Sequence, residues 1–183
     1  MGAMFSQLPF GGGVSIALAP VDLQTAQNGT WAKISNVNKS LILLVFAKAG
    51  TAADELTINL QQATDSSGTG AKALSIKEVF FKRGATAFTA TPNTRDKFAR
   101  SPSTPENRET SISSYATATD RVAATNDFMC AIRISPADLD QDNGFVYVRP
   151  QFSDVGTNAQ LGFALWIADD QAYQGVDAPS LLA

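Results

Sequence analysis

The most suggestive chemical pattern in the chain is a run of alternating aspartates near residue 140. Asp138, Asp140 and Asp142 are followed by Gly144, and carboxylates at alternate positions ahead of a glycine are typical of loops that bind calcium. The glycine comes one place later than in an EF-hand loop, and Arg149 stands where the bidentate glutamate would be. The pattern therefore favours a solvated acidic turn over a calcium site, and we predict no metal and no other cofactor.

Histidine is absent from the 183 residues, which excludes a Ser-His-Asp triad, a Cys-His dyad and histidine-ligated metal sites. Paired carboxylates can cleave glycosides. The pairs Asp54–Glu55 and Asp169–Asp170 are adjacent in sequence, so in a strand the two side chains of each pair would face opposite sides. Cys130 lies in an apolar alternation that is typical of an inert core thiol. We therefore predict no catalytic residues and no enzymatic activity.

Aromatic side chains on an exposed sheet face could bind a sugar. The candidates are Trp31, Tyr147 and Trp166. Each of these residue types is also common in a core or at its rim, and the sequence alone leaves both interpretations open.

The charge of the chain argues against two classes of partner. The 14 Lys and Arg residues and 17 Asp and Glu residues give a net charge of -3, so we predict neither nucleic acid nor an anionic membrane as a partner. The longest apolar run, Leu41–Ala47, is too short to span a bilayer. The first twenty residues have no basic stretch ahead of an apolar core, so we expect synthesis in a cytoplasm.

Alternating apolar and polar residues predict strands along most of the chain. Leu56, Ile58 and Leu60 alternate with polar residues, and Leu161, Phe163 and Leu165 alternate with small ones. We predict that these two sets form the core of the domain. The stretches 145–152 and 161–168 are joined by an eight-residue link, which favours two neighbouring strands of one antiparallel sheet. Residues 40–49 are apolar on both faces, as in a central strand buried on both sides.

The number and spacing of these stretches predict an all-β fold, an antiparallel β-sandwich or jelly roll of about eight strands. Ser135-Pro136 is a suitable start for a short helical cap, and Asn143-Gly144 for a tight turn. We assign residues 1–20 to an extended N-terminal arm and 21–168 to the sandwich domain. A long loop over 92–114 lies inside that domain, and 169–183 form a C-terminal arm.

Three segments contain candidate partner contacts. The arms carry large apolar residues, and the loop carries a local excess of basic residues. An arm could be a frayed tail or could contact a neighbouring chain. The loop could be solvated or could contact an acidic partner surface. The candidate contact residues are Met4, Phe5, Leu8, Phe10, Arg95, Lys97, Arg100, Leu181 and Leu182.

Three stretches resemble small structural proteins of tailed bacteriophages and prophages. They are DELTINLQQATDSSGTGAKAL from Asp54, DLDQDNGF from Asp138 and DVGTNAQLGFALWIA from Asp154. The similarity extends roughly from Val21 to Ala168, and capsid decoration, or cement, proteins built as jelly-roll or β-sandwich domains are closely similar.

This resemblance implies a non-enzymatic virion protein on the outer surface of an icosahedral phage head, assembled in the cytoplasm of a bacterial host. It implies the major capsid protein as partner, a homotrimer, and a role in stabilising contacts between capsid subunits. Three alternatives remain: a carbohydrate- or receptor-binding module of a phage fibre, a tail or connector protein, and a hydrolase that uses carboxylates only.

Overall fold

A computed structural model describes residues 13–34, 38–48, 56–76, 78–82, 98–101, 111–113, 128–153 and 156–171. Two antiparallel sheets of six strands each make up the fold, which confirms the predicted all-β sandwich. The described residues form twelve strands, more than the eight expected, and several of these strands have two or three residues. Among the described residues, no helix has the length and apolar character that a membrane crossing requires.

In chain order, the strands are β1 (Val14–Asp22), β2 (Gln27–Asn28), β3 (Ala32–Lys33), β4 (Asn38–Ala47), β5 (Thr57–Ala63), β6 (Lys72–Leu74), β7 (Glu78–Lys82), β8 (Phe98–Ser101), β9 (Ser111–Ser113), β10 (Phe128–Ile134), β11 (Tyr147–Phe152) and β12 (Leu161–Gln171). The larger sheet has the order β1-β12-β4-β10-β7-β8. The smaller sheet has the order β2-β11-β5-β6, with β3 also pairing β11 and β9 pairing β5.

The chain passes repeatedly from one sheet to the other. β11 pairs with β5 in the smaller sheet, whereas β12 lies between β1 and β4 in the larger one. The prediction that β11 and β12 are neighbours in one sheet is therefore wrong. The link between them crosses from one layer of the sandwich to the other. The consecutive strands β6 and β7 likewise belong to different sheets.

The core lies between the sheets, and one of the two predicted core faces is correct. Leu56, Ile58 and Leu60 are fully buried, as expected. On β12 the inward side chains are those of the even-numbered residues. Trp166 is at 0 % exposure, and Ala164 and Ala168 lie on either side of it. The predicted core face of Leu161, Phe163 and Leu165 is therefore wrong, because these residues lie on the outer side of the larger sheet.

Small residues on the inner side of β12 explain this orientation. A Cβ atom on Gly162 would lie 2.5 Å from Leu23 Cδ1, so the glycine makes room for the buried Leu23. The Trp166 ring supplies most of the volume on this face, and its indole N–H donates to the Thr30 carbonyl oxygen over 3.3 Å. A tryptophan that finds this hydrogen-bond partner can be fully buried.

β4 is central in the larger sheet, as predicted, but it is fully buried on one side only. Leu41, Leu43 and Val45 are in the core. Ile42, Leu44 and Phe46 alternate with them on the outer side and are half-buried. The sandwich also exceeds its predicted limits, since β1 starts before residue 21 and β12 continues to Gln171.

One lateral edge of the sandwich is closed by hydrogen bonds between the sheets. The Pro150 carbonyl of β11 accepts from the Gly29 N–H over 2.9 Å, and the Thr30 N–H donates to the Ala17 carbonyl of β1 over 2.7 Å. The Thr30 hydroxyl also donates to the Ile16 carbonyl over 2.8 Å. Residues 29–30 thus connect the edge of the smaller sheet to the edge of the larger one.

The stretch between β10 and β11 contains two 3-10 turns, Pro136–Asp138 and Gln141–Asn143. Ser135 caps the first turn, in agreement with the sequence prediction, and the Asp138 carboxylate accepts from the Ser135 N–H over 2.8 Å in return. Gly144 ends the second turn with a φ of 79°. A glycine adopts this left-handed conformation without strain.

Candidate interaction surface

The outer side of the larger sheet carries a continuous set of apolar side chains, which we call the outer apolar face. Strand pairing aligns them in rows: Phe163 is opposite Phe46, and Leu165 is opposite Leu44 on one side and Ile16 on the other. The Phe46 and Phe163 rings stack at 4.7 Å between centroids, 12° from parallel. The face comprises Val14, Ile16, Ile42, Leu44, Phe46, Met129, Ala131, Leu161, Phe163, Leu165 and Ile167.

The face is partly open to solvent in the single chain. Leu161 is 64 % exposed and Ile16 is 53 % exposed, and they are the exposed large hydrophobic side chains of the described residues. The remaining side chains of the face are half-buried. Four strands at ~4.8 Å spacing and seven residues at ~3.4 Å rise give a face of roughly 450 Å² in projection. Apolar patches of this size on soluble proteins often have a binding function.

A crevice deepens the face at the Leu161 end of β12. It has a volume of about 280 Å³ and is lined by Pro20, Phe46, Ala47, Lys48, Leu161, Gly162 and Phe163. The lining is almost entirely apolar, and Gly162 contributes no side chain to it. An engineered apolar cavity of ~150 Å³ can hold a benzene molecule, so this crevice has room for one aromatic side chain of a partner.

The outer side of the smaller sheet has the opposite character. Arg149 Nε donates to Gln61 Oε1 over 2.9 Å, and Gln151 Nε2 donates to Asn28 Oδ1 over 2.9 Å. These polar side chains satisfy one another across the strands. Among the described residues, the outer side of the larger sheet is therefore mainly apolar, with Arg133 opposite Ile42 as a charged exception, and the outer side of the smaller sheet is polar.

The three aromatic candidates for sugar binding have different environments. Trp166 is fully buried in the core, so it cannot stack on a sugar. The Arg149 guanidinium lies 4.6 Å from the centre of the half-buried Trp31 ring, and Gly68 packs against the same indole. Tyr147 is half-buried, with Lys33 Nζ 6.0 Å from its ring centre. Trp166 is therefore excluded as a sugar platform, and the rings of Trp31 and Tyr147 each have a basic side chain nearby.

Two carboxylates of the acidic turn form structural contacts. Asp138 caps the first 3-10 turn, and Asp140 forms an ion pair with Lys72. Hydrogen bonds from Lys72 and then Asn143 hold the pKa of the Asp140 carboxyl below its ordinary value. Lys72 Nζ also lies 4.0 Å from the centre of the Phe145 ring. Within the described ranges, no three His, Cys, Asp or Glu side chains are grouped as metal ligands.

The predicted core thiol is confirmed. Cys130 is fully buried on β10, opposite Val45 of β4 and next to β7. Burial raises the pKa of the thiol far above its ordinary value, because the thiolate cannot be solvated in an apolar core. This thiol is therefore not a nucleophile in the folded protein.

The predicted contact residues fall mostly outside the described part of the chain. Arg100 lies in β8, where its backbone is opposite Phe80 of β7. The others, which lie outside the described residues, are Met4, Phe5, Leu8, Phe10, Arg95, Lys97, Leu181 and Leu182.

Sequence reasoning did not identify the outer apolar face, although two signals for it were present. β4 is apolar at consecutive positions, and β12 alternates large side chains with Gly162 and Ala164. A strand that is apolar on both sides but has only one other layer behind it must leave its second apolar side available for a partner.

Comparisons with known proteins do not assign this chain to a family. No protein-family model, no curated protein and no solved structure matches it. Support for a function therefore comes from the resemblance of the three sequence stretches and from the structural features described above.

Proposed function

We propose that this chain is a non-enzymatic structural protein of a tailed-phage virion. In this proposal it binds the outer surface of an icosahedral head as a decoration, or cement, protein and acts as a homotrimer. Its partner is the major capsid protein, and its role is to stabilise contacts between capsid subunits. The observation that supports the proposal best is the outer apolar face, because this face is suited to burial in a protein–protein interface.

The energetics of the fold favour an interface at this position. Trp166, Leu43 and the other inward side chains form the core without help from the outer face. The half-buried apolar residues of the outer face contribute less to the stability of the fold than the fully buried core residues do, so they can also serve in binding. Full burial of such a side chain contributes ~1.5–3 kcal/mol, and the exposed Leu161 and Ile16 have most of this contribution still to gain.

Attachment through several copies at once would raise the overall affinity of a weak single contact. The face covers roughly 450 Å² in projection, whereas a typical stable interface buries ~800 Å² of accessible surface per partner, so the face alone would make a modest interface. Several copies held together in a closed oligomer bind as one multivalent unit, which raises the overall affinity without any new contact. A trimer placed over a symmetric shell would use this effect.

Binding to heads tests the proposal. Heads would be assembled without this protein from the phage or prophage genome that encodes it, mixed with the purified chain, and washed by sedimentation. We expect saturable binding that Leu161→Asp strongly weakens, because the substitution places a charge on the apolar face. Ala159→Asp is the matched control, since Ala159 is an exposed residue that precedes β12.

The outcome can also separate the alternatives. Binding to tails or fibres in place of heads would replace the decoration proposal with a tail or fibre role. Equal loss of binding in the Leu161→Asp and Ala159→Asp variants would remove the outer apolar face from the proposal.

A further inference from the structure

We infer that the outer apolar face binds the segment Met4–Phe10 of a second copy of this chain, and that a phenylalanine of this segment occupies the crevice. The inference rests on the proposed function in one respect: it takes the outer apolar face as a surface that is buried during assembly. It adds the identity of the partner, which is a sister subunit.

The chemistry of the segment matches that of the face. Residues 1–12 contain no Asp, Glu, Lys or Arg, and five of them have large apolar side chains. The crevice is lined almost entirely by apolar atoms and has room for an aromatic ring. Phe5 and Phe10 are therefore suitable occupants. A charged segment would lose hydration on a face whose side chains are mainly apolar.

The length of the segment also matches. Met4–Phe10 has seven residues, which span ~24 Å when extended. The outer face of β12 from Leu161 to Ile167 likewise has seven residues and the same span. Pro9 suits an extended segment that lies on a surface, because proline favours extended backbone and cannot continue a helix.

The direction of the chain favours a second copy over the same copy. The Gly13 carbonyl accepts from the Ala168 N–H over 2.9 Å, so β1 begins at the Ala168 end of β12. The crevice lies at the other end, beside Leu161. A chain that continued in the line of β1 would lead away from its own crevice, which favours the crevice of a second copy.

This contact would have consequences for assembly. The segment and the face are different surfaces of the same chain, so each subunit could give its segment to the next one. A head-to-tail contact of this kind closes into a ring when the rotation between subunits permits it. The proposed trimer is such a ring. A segment that lies along β12 has the width of one strand, so the part of the face on β4 and β10 would remain available to a capsid subunit.

The test uses full-length protein, so that no variant depends on the folding of a fragment. In one variant, serine replaces all four large apolar residues of the segment, Met4, Phe5, Leu8 and Phe10. Light scattering gives the mass of each protein in solution, and circular dichroism checks that both are folded. We expect an oligomer of the natural chain and a monomer of the serine variant at the same micromolar concentration.

A second measurement identifies the surface that binds. A fluorescent peptide of residues 1–12 is titrated into the serine variant, and its polarisation is recorded. We expect saturable binding, at least tenfold weaker when Leu161→Asp is added and unchanged when Ala159→Asp is added. An oligomer that persists in the serine variant, or a peptide that does not bind, would overturn the inference.

One further result would also overturn it in its present form. If the natural chain is a monomer while the serine variant binds the peptide, the segment occupies the face of its own chain. These measurements need no phage heads, so they can fail while head binding persists, or succeed when head binding is absent. The inference and the proposed function are thus tested separately.

Discussion

Trp166 and Phe163 lie three residues apart on β12 but on opposite sides of the larger sheet, so replacing each with alanine tests which side is the core. Trp166 is fully buried, and truncation of a buried aromatic side chain typically costs ~3–5 kcal/mol. Phe163 is half-buried and stacks on Phe46. Since full burial of a phenylalanine contributes ~1.5–3 kcal/mol, we expect Phe163→Ala to cost only ~1–2 kcal/mol in the isolated chain.

Urea unfolding at equilibrium measures both losses. A domain is typically stable by ~5–15 kcal/mol, so Trp166→Ala should shift the unfolding midpoint by a large fraction and Phe163→Ala by a small one. Circular dichroism is the common signal, because the first substitution removes a tryptophan. The dependence of the unfolding free energy on urea should be the same in all three proteins, which shows that the same transition is compared.

The relative size of the two stability losses shows which side of β12 faces the core. If Phe163→Ala costs as much as Trp166→Ala, the outer side of β12 is as deeply buried as the core. In that case the outer apolar face is not available to a partner, and the functional proposal loses its main support. A smaller loss for Trp166→Ala than for Phe163→Ala would show that the orientation of β12 described here is reversed.

Two other substitutions test local features of the fold. In Gly29→Ala the new Cβ would lie 2.5 Å from Pro150 Cγ and 2.7 Å from the Ala17 carbonyl oxygen, so we expect a loss of ~1–3 kcal/mol in urea unfolding; no loss would contradict this close approach. The effect of Asp140→Asn on stability should depend on pH, because hydrogen bonds from Lys72 and Asn143 lower the pKa of Asp140 in the folded protein. The stability that the charged form contributes is present above the ordinary aspartate pKa of 3.8 and is lost as the pH falls through the lowered folded pKa. The difference in unfolding midpoint between the natural chain and Asp140→Asn should therefore be larger at pH 7 than near pH 2, and an equal difference at both would refute the ion pair.

Local features were predictable where a few adjacent residues determine them. The alternation of Leu56, Ile58 and Leu60 with polar residues identified a buried side of β5 correctly. Ser135 with Pro136 identified a capped turn, and Gly144 a turn residue with positive φ. Each depends on backbone preferences or on a two-residue period, which a single sequence displays directly.

Features that depend on distant residues were not predictable in the same way. On β12, Leu161, Phe163 and Leu165 are more apolar than Gly162 and Ala164, so size and hydropathy favoured the wrong side as the core. The correct side follows from Leu23, which packs against Gly162 from far away in the sequence. The pairing of β11 with β5 is equally non-local, since the connection between the two strands passes through the other sheet.

Pro150 has a consequence for the behaviour of the protein at high concentration. The nitrogen and the carbonyl of a strand residue face the same neighbouring strand, so the ring of Pro150 faces Gly29, in the gap between β2 and β3. Because Pro150 has no N–H there, β11 cannot pair with one continuous strand along this edge. Thr30 instead forms its hydrogen bond with β1. A sheet edge divided in this way is a poor template for strand addition by another molecule. The same proline that breaks the ladder should thus protect this side of the sandwich against fibrillar aggregation, even where many copies are crowded together.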